Sequence, residues 1–389
     1  MMLKSRLFIV IFIWIFNFGF TLFSQVKPSM KYMQVASLKY MQVATIESSN
    51  FMEETTISSY KDTLTNNLIY LRKSKTNIPL YYYKKIQDAV CFDNVCRMLD
   101  IIVYWNITGR YLGFELPKGE FLSKYDHEPF SESEYQRLHS LLADLSIPLD
   151  AVSFEKLIEQ PKNEEETVDA VSGATSKSVA DMVVKGAAYT TYKLWNIVNG
   201  STMDIVSELT EKQLTSTLIH RILQSPDKND RLWALNRIDN TTELTLDLES
   251  SLLEIIASND FYLAYNAIQS LDAIHLKSTE LQQRLFLIYP NATHNIQKEL
   301  LKKLGEAPIL SSEVVTASRD LLLSLSGKQL DDVLKLYSKQ GVNDLQTYKE
   351  VSKILENKNK YISKKAYDFL INIQSDDEFI MKRLKAYKN

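Results

Sequence analysis

Cysteine is nearly absent, with two residues in 389. That excludes a disulfide-built scaffold and a Cys-rich zinc or iron–sulfur protein. Histidine is scarce as well: there are five, with no HExxH and no paired-His spacing, so no side-chain metal site is expected. Neither sign of charge dominates, since 45 basic and 48 acidic residues leave −3. Nucleic-acid binding therefore lacks the basic face it needs. Long apolar runs are missing beyond the N-terminus, which excludes a multi-span membrane protein. What remains is 45% hydrophobic and 24% charged. That is ordinary globular usage, and the length suits two domains.

Lys4 and Arg6 precede an uncharged apolar run, residues 7–23, closed by Ser24-Gln25. A basic start followed by an apolar stretch is the pattern of a secretory signal peptide, residues 1–24. The run lacks a clean A-x-A site and is just long enough to span a bilayer, so an uncleaved N-terminal anchor stays open. Both readings place the rest of the chain outside the cytoplasm, in the periplasm or on the outer face of the cytoplasmic membrane. Membrane contact would come only through this segment, if uncleaved. Residues 25–57 read as a linker. It carries a tandem octad, KYMQVASL at 31–38 and KYMQVATI at 39–46. Two copies cannot build a stacked fold, so a duplication inside a tolerant linker is expected.

Residues 58–200 are mixed in pattern and hold six of the ten glycines, whereas 201–389 hold three. Residues 84–91 and the apolar run from Cys96 to Trp105 read as two strands around Phe92-Asp93-Asn94-Val95. Asp-Asn suits a tight turn because both residues tolerate positive φ. A third strand follows at Tyr111–Leu116 and stops at Pro117. Ser131 and Glu134 form a capping box that predicts a helix over 132–144. The zone is therefore an α+β domain, an antiparallel sheet with helices. Cys91 and Cys96 flank the turn symmetrically, and cross-strand neighbours lie close to disulfide range. Export would supply an oxidising compartment. A structural disulfide is favoured; two free thiols or a redox dithiol remain alternatives.

The string Val168-Asp169-Ala170-Val171-Ser172-Gly173-Ala174-Thr175-Ser176-Lys177 reads as a small-residue turn opening a helix over 177–198. Unpaired N–H groups at such an N-terminus favour phosphate. A plain N-cap by Thr175 or Ser176 satisfies the same pattern.

The string D-x-x-S-G-A-T resembles the flavinylation motif of the FMN-binding domain family. That family includes the flavin subunits of the sodium-pumping quinone reductase and the Rnf complex. The resemblance implies that Thr175 carries FMN through a phosphoester bond placed there by a flavin transferase. Asp169, Ser172, Gly173 and Ala174 would be the recognition and turn residues. Tyr104-Trp105, Gly109, Gly113-Phe114, Lys124, Asp126-His127, Pro129-Phe130, Tyr135 and Gly186–Thr190 extend the resemblance over roughly 85–200. His127 could approach the flavin, and Trp105 and Tyr189 could stack on its ring; a turn position and core packing answer for them equally. No nucleophile–base pair is readable, so no catalytic residue is assigned. Flavin chemistry belongs to the cofactor, which the protein binds and tunes.

Residues 201–389 read as helix after helix. Asn229–Ile238 aligns with Asn259–Ile268, with Asn, Asp, Ala, Asn and Ile recurring, and apolar helices at 214–223 and 248–257 precede the two copies. The region resembles degenerate HEAT-type repeats, an all-α solenoid-like domain; an irregular bundle is the alternative. A solenoid offers a docking surface and no chemistry of its own. The combined expectation is an exported flavoprotein with covalent FMN on Thr175, relaying electrons to or from a redox partner docked on the helical half. If it is an enzyme, it is a flavin-dependent oxidoreductase subunit. The alternative is a non-catalytic helical-repeat scaffold or adaptor with a degenerate FMN-binding domain.

Overall fold

The computed structural model describes residues 37–47, 56–63, 67–89, 98–124, 128–153, 156–157 and 178–387. Six antiparallel strands form one sheet: β1 (Leu38–Met41), β2 (Thr56–Lys61), β3 (Leu68–Lys73), β4 (Pro79–Ala89), β5 (Met98–Asn106) and β6 (Tyr111–Leu116). Their order is β1-β6-β5-β4-β3-β2. Strands β2 to β6 are a meander, and β1 closes it by pairing with β6, Leu38 opposite Leu116 and Met41 opposite Gly113. The period-2 pattern decides the faces. Ile69, Leu71, Tyr82, Ile101, Val103, Trp105 and Phe114 are buried on one side. Tyr70, Tyr81, Tyr83 and Tyr104 line the other.

Helix α1 (Glu132–Ala143) starts at the Ser131–Glu134 capping box, in which Ser131 N donates to Glu134 Oε2 at 2.6 Å. It buries Tyr135, Leu138, Leu141 and Leu142. Two more helices follow, α2 (Ala188–Asn199) and α3 (Ser201–Glu211). They join the buried face of the sheet: Trp105 Nε1 donates to Val198 O at 2.8 Å, and Thr210 Oγ1 to Ile107 O at 2.6 Å. The β5–β6 turn needs Gly109, at φ +89°, where a Cβ would lie 2.7 Å from Met203 O. Positive φ and the close approach of α3 both require glycine there.

Eleven further helices follow among the described residues: α4 (Ser216–Leu223), α5 (Lys228–Leu235), α6 (Leu246–Ile256), α7 (Phe261–Gln269), α8 (Thr279–Ile288), α9 (His294–Leu304), α10 (Ser312–Leu321), α11 (Gly327–Gln340), α12 (Leu345–Lys353), α13 (Lys360–Ile373) and α14 (Glu378–Ala386). Short polar side chains start most of them. Thr215, Thr245, Asp260, Ser278, Ser326 and Asp344 each accept a backbone N–H of the first turn. Alternate helices touch: α4, α6, α8, α10, α12 and α14 form one row, and α5, α7, α9, α11 and α13 the other. The α+β half followed by an all-α half is thus present, with the all-α half stacked in two rows. One apolar core runs through both halves.

Three expectations are corrected. The sheet begins well before residue 84, because Leu-Ile-Tyr-Leu-Arg-Lys already alternates in β3 and buries Ile69 and Leu71. Residues 38–47 are not linker, since the second octad forms most of β1 and then reaches into the core at Ile46. The helix expected from 177 begins at Ala188.

Candidate functional site

Asp169, Ser172, Gly173, Ala174 and Thr175 lie outside the described residues, as do Cys91, Cys96 and His127. The chain on both sides of the motif is fixed: Leu157 and Val179 are buried in the common core. After Ser178 the backbone runs through turns, not helix. Met182 N donates to Val179 O and Ala187 N to Val184 O, each at 2.9 Å. Gly186 has φ +76°, which an L-residue helix does not tolerate. Thr191 Oγ1 then accepts from Val184 N at 3.1 Å and donates to Ala187 O at 2.9 Å, closing the turn onto α2. The first N–H groups of α2 are therefore remote in sequence from Thr175. Arg137 on α1 donates to Asp181 O and ties the turn to that helix.

Two residues named for ring stacking are accounted for. Trp105 is fully buried with its indole bonded to Val198 O, so it serves packing. Tyr189 on α2 is half-buried and packs against the core. The same helix buries Trp195 with its Nε1 unpaired. The β4–β5 ladder keeps one register through nine pairs, from Tyr81–Asn106 to Ala89–Met98.

The densest polar cluster was not anticipated from the sequence. Asp230, 0% exposed, sits where the sheet meets the helices. Its carboxylate accepts from Thr45 Oγ1 (2.8 Å), Thr108 Oγ1 (2.6 Å), Ser225 Oγ (2.8 Å), and Arg110 Nε (3.1 Å) and Nη2 (2.8 Å). Burial alone would raise its pKa. The Arg110 hydrogen bonds and charge, with the Thr108 and Thr45 hydroxyls, outweigh burial and hold the carboxyl below its ordinary range. Arg110 also donates to Val43 O at 3.0 Å, and Thr45 N donates to Asn106 Oδ1 at 2.7 Å. With five donors on it, the carboxylate has no spare capacity for proton transfer. It is a clamp joining the octad, the β5–β6 turn and α5. A second buried pair, Lys84–Asp62 at 2.8 Å, lies under the sheet.

His139 on α1 is flanked by Gln42 (3.0 Å to Nε2) and the Tyr111 hydroxyl (2.9 Å to Nδ1). Burial pushes its pKa down to about 4. The Gln42 amide N–H can only donate, so Nε2 accepts and the ring proton sits on Nδ1. Both nitrogens are engaged, and the imidazole is neutral.

On the other face of the sheet the tyrosines touch. Tyr70 stacks on Tyr83 at 5.0 Å, and Tyr83 and Tyr81 meet Tyr104 at 5.9 and 5.8 Å. Tyr104 donates to Glu115 at 2.9 Å under the Lys39 ammonium, 4.6 Å from its ring centre. Burial, then the Glu115 hydrogen bond and charge, raise the Tyr104 pKa, so its phenol stays neutral and donates to Glu115.

Among the described residues no group of three or more His, Cys, Asp or Glu could hold a metal ion, and no helix is long and apolar enough to cross a membrane. No protein-family model matches the chain, and neither a curated protein nor a solved structure matches it.

Proposed function

We propose that this chain is an exported flavoprotein that carries FMN on Thr175 and relays electrons to or from a partner docked on the two-row helical half. The observation that carries the reading is the string Asp169-Ala170-Val171-Ser172-Gly173-Ala174-Thr175. Two structural features support it. The chain is anchored in the core at Leu157 before the string and at Val179 after it, so a group attached between them is tethered at both ends. Among the described residues, the helix that follows holds one buried donor without a partner, Trp195 Nε1. FMN passes one or two electrons and would supply all of the redox chemistry. The chain's own part is to fix the attachment segment and to present a partner surface. The helical half, with its helices stacked in two rows, suits that second task if the rows present a continuous surface as helical repeats do.

Intact mass and in-gel fluorescence of protein made with an active flavin transferase test the reading. Wild-type protein should gain an FMN increment on the peptide containing Thr175. Thr175→Ala should lose it while the melting temperature stays within a degree or two. Absence of the increment from wild type removes the relay and leaves the adaptor reading, in which only the helical surface matters.

A further inference from the structure

The octad 39–46 sits in a socket built by both halves of the molecule. Lys39 bridges Glu115 at 3.3 Å. Tyr40 packs on Phe114, Tyr135 and His139, with ring centres 5.3, 6.0 and 5.7 Å away. Met41 lies over Gly113, where a Cβ would be 2.6 Å from its sulfur. Gln42 N donates to Leu112 O at 2.6 Å, and its side chain meets His139. Val43 O accepts from Arg110, Thr45 bonds Asn106 and Asp230, and Ile46 is buried. Side chains of the octad thus meet the socket at Lys39, Tyr40, Met41, Gln42, Thr45 and Ile46, and Val43 is held through its backbone carbonyl.

The preceding octad, 31–38, repeats Lys, Tyr, Met, Gln, Val and Ala in order, then gives Ser37 for Thr45 and Leu38 for Ile46. Serine keeps the hydroxyl that Asp230 accepts, and leucine is an isomer of isoleucine. The residue before each octad is apolar, Met30 and Leu38. A slip of eight residues is even, so every side chain would keep its face of the sheet.

We propose that the socket accepts either octad, so that the chain exchanges between the described register and one displaced by eight residues. In the displaced register Lys31 faces Glu115 and Leu38 takes the place of Ile46. The loop to β2 then roughly doubles in length, which disfavours closure about threefold. Loss of the threonine methyl from a buried position costs about another fourfold. The described register therefore leads by roughly tenfold. Exchange changes the length of chain between the sheet and the N-terminus by eight residues, at most about 29 Å of reach. The duplication thus acts as an adjustable tether.

Zero-length carbodiimide cross-linking of the full-length protein, with the Lys–Glu links mapped by tandem mass spectrometry, tests this. Lys39–Glu115 should be the main link, and Lys31–Glu115 should appear at about a tenth of its yield. Thr45→Ala removes one octad's bond to Asp230 and should make Lys31–Glu115 the main link; Ser37→Ala should abolish it. Deletion of 39–46 should leave a folded protein linked through Lys31. Three results overturn the proposal: no Lys31–Glu115 link in wild type and Thr45→Ala while Lys39–Glu115 forms in both; an unfolded deletion variant; or Lys31 links only between chains in a mixture of isotope-labelled and unlabelled protein.

Discussion

The two halves of the molecule are held together on different length scales. In the sheet half, decisive contacts join residues far apart in sequence: Thr45 reaches Asp230 across 185 positions and Trp105 reaches Val198 across 93. In the helical half, polar ties span about one helix pair, such as Gln282 Nε2 to Ile309 O across 27 positions and Gln340 Nε2 to Gly305 O across 35. Charge is also buried within the sheet half, in Lys84–Asp62, and at its junction with the helices, in Asp230–Arg110. The helical rows bury Leu, Ile and Val and keep most charge in exposed pairs. Damage should therefore spread through the sheet half and stay local in the rows, where each helix touches mainly its neighbours.

The largest effect expected is at the junction. Asp230→Ala leaves the Arg110 guanidinium and three buried hydroxyls facing an empty position. Breaking such a buried pair costs about 3–5 kcal/mol. Urea denaturation followed by circular dichroism should show that loss and a separation of the two halves into distinct transitions. Asp260 occupies the matching position of the internal echo but caps the exposed start of α7, accepting from Leu263 N at 3.1 Å. Asp260→Ala should cost about 1 kcal/mol. Equal losses at the two positions would refute the clamp.

The same pair shows where the sequence was and was not legible. The echo paired Ala234 with Ala264 and Ile238 with Ile268, and all four prove buried, because recurring apolar positions are a local signal. It could not separate Asp230 from Asp260. The role of Asp230 is set by Thr45, Thr108 and Arg110, which only the fold brings near. The capping box at Ser131 and strand β6 were legible for the same local reason. The helix after the motif was placed too early because one conformational detail, Gly186 at φ +76°, decides its start. The octad was read as linker because its edge pairing to β6 leaves Tyr40 and Gln42 half-buried, a weak periodic signal.

A smaller loss is expected where β1 crosses the sheet edge. A Cβ on Gly113 would lie 2.2 Å from Tyr40 O. Gly113→Ala should therefore push β1 outward. Overpacking of this kind costs about 1–3 kcal/mol. Hydrogen exchange should quicken in 38–46 and stay unchanged beyond α5. Uniformly faster exchange through the helical rows would show that the halves are not separable in this way.

The mildest perturbation is pH, and it distinguishes the sheet edge from the clamp. His139 is neutral in the fold, with its pKa lowered to about 4 from 6.5 by burial. A depressed folded value contributes stability that is present above 6.5 and lost as pH falls toward 4. Protonation places N–H on Nε2 against the Gln42 amide donor, so β1 loosens first. The Asp230 carboxyl is also depressed, and its contribution is present above its unfolded value of 3.8 and lost only below it. Between pH 6.5 and 4, then, exchange of peptide 38–46 should rise severalfold after correction for the intrinsic rate, while the α5 peptide should not change. His139→Phe keeps a ring against Tyr40 and Phe114 but cannot titrate, and its exchange profile over this window should be flat. A profile that keeps its slope in His139→Phe would assign the pH response to another group on the sheet edge.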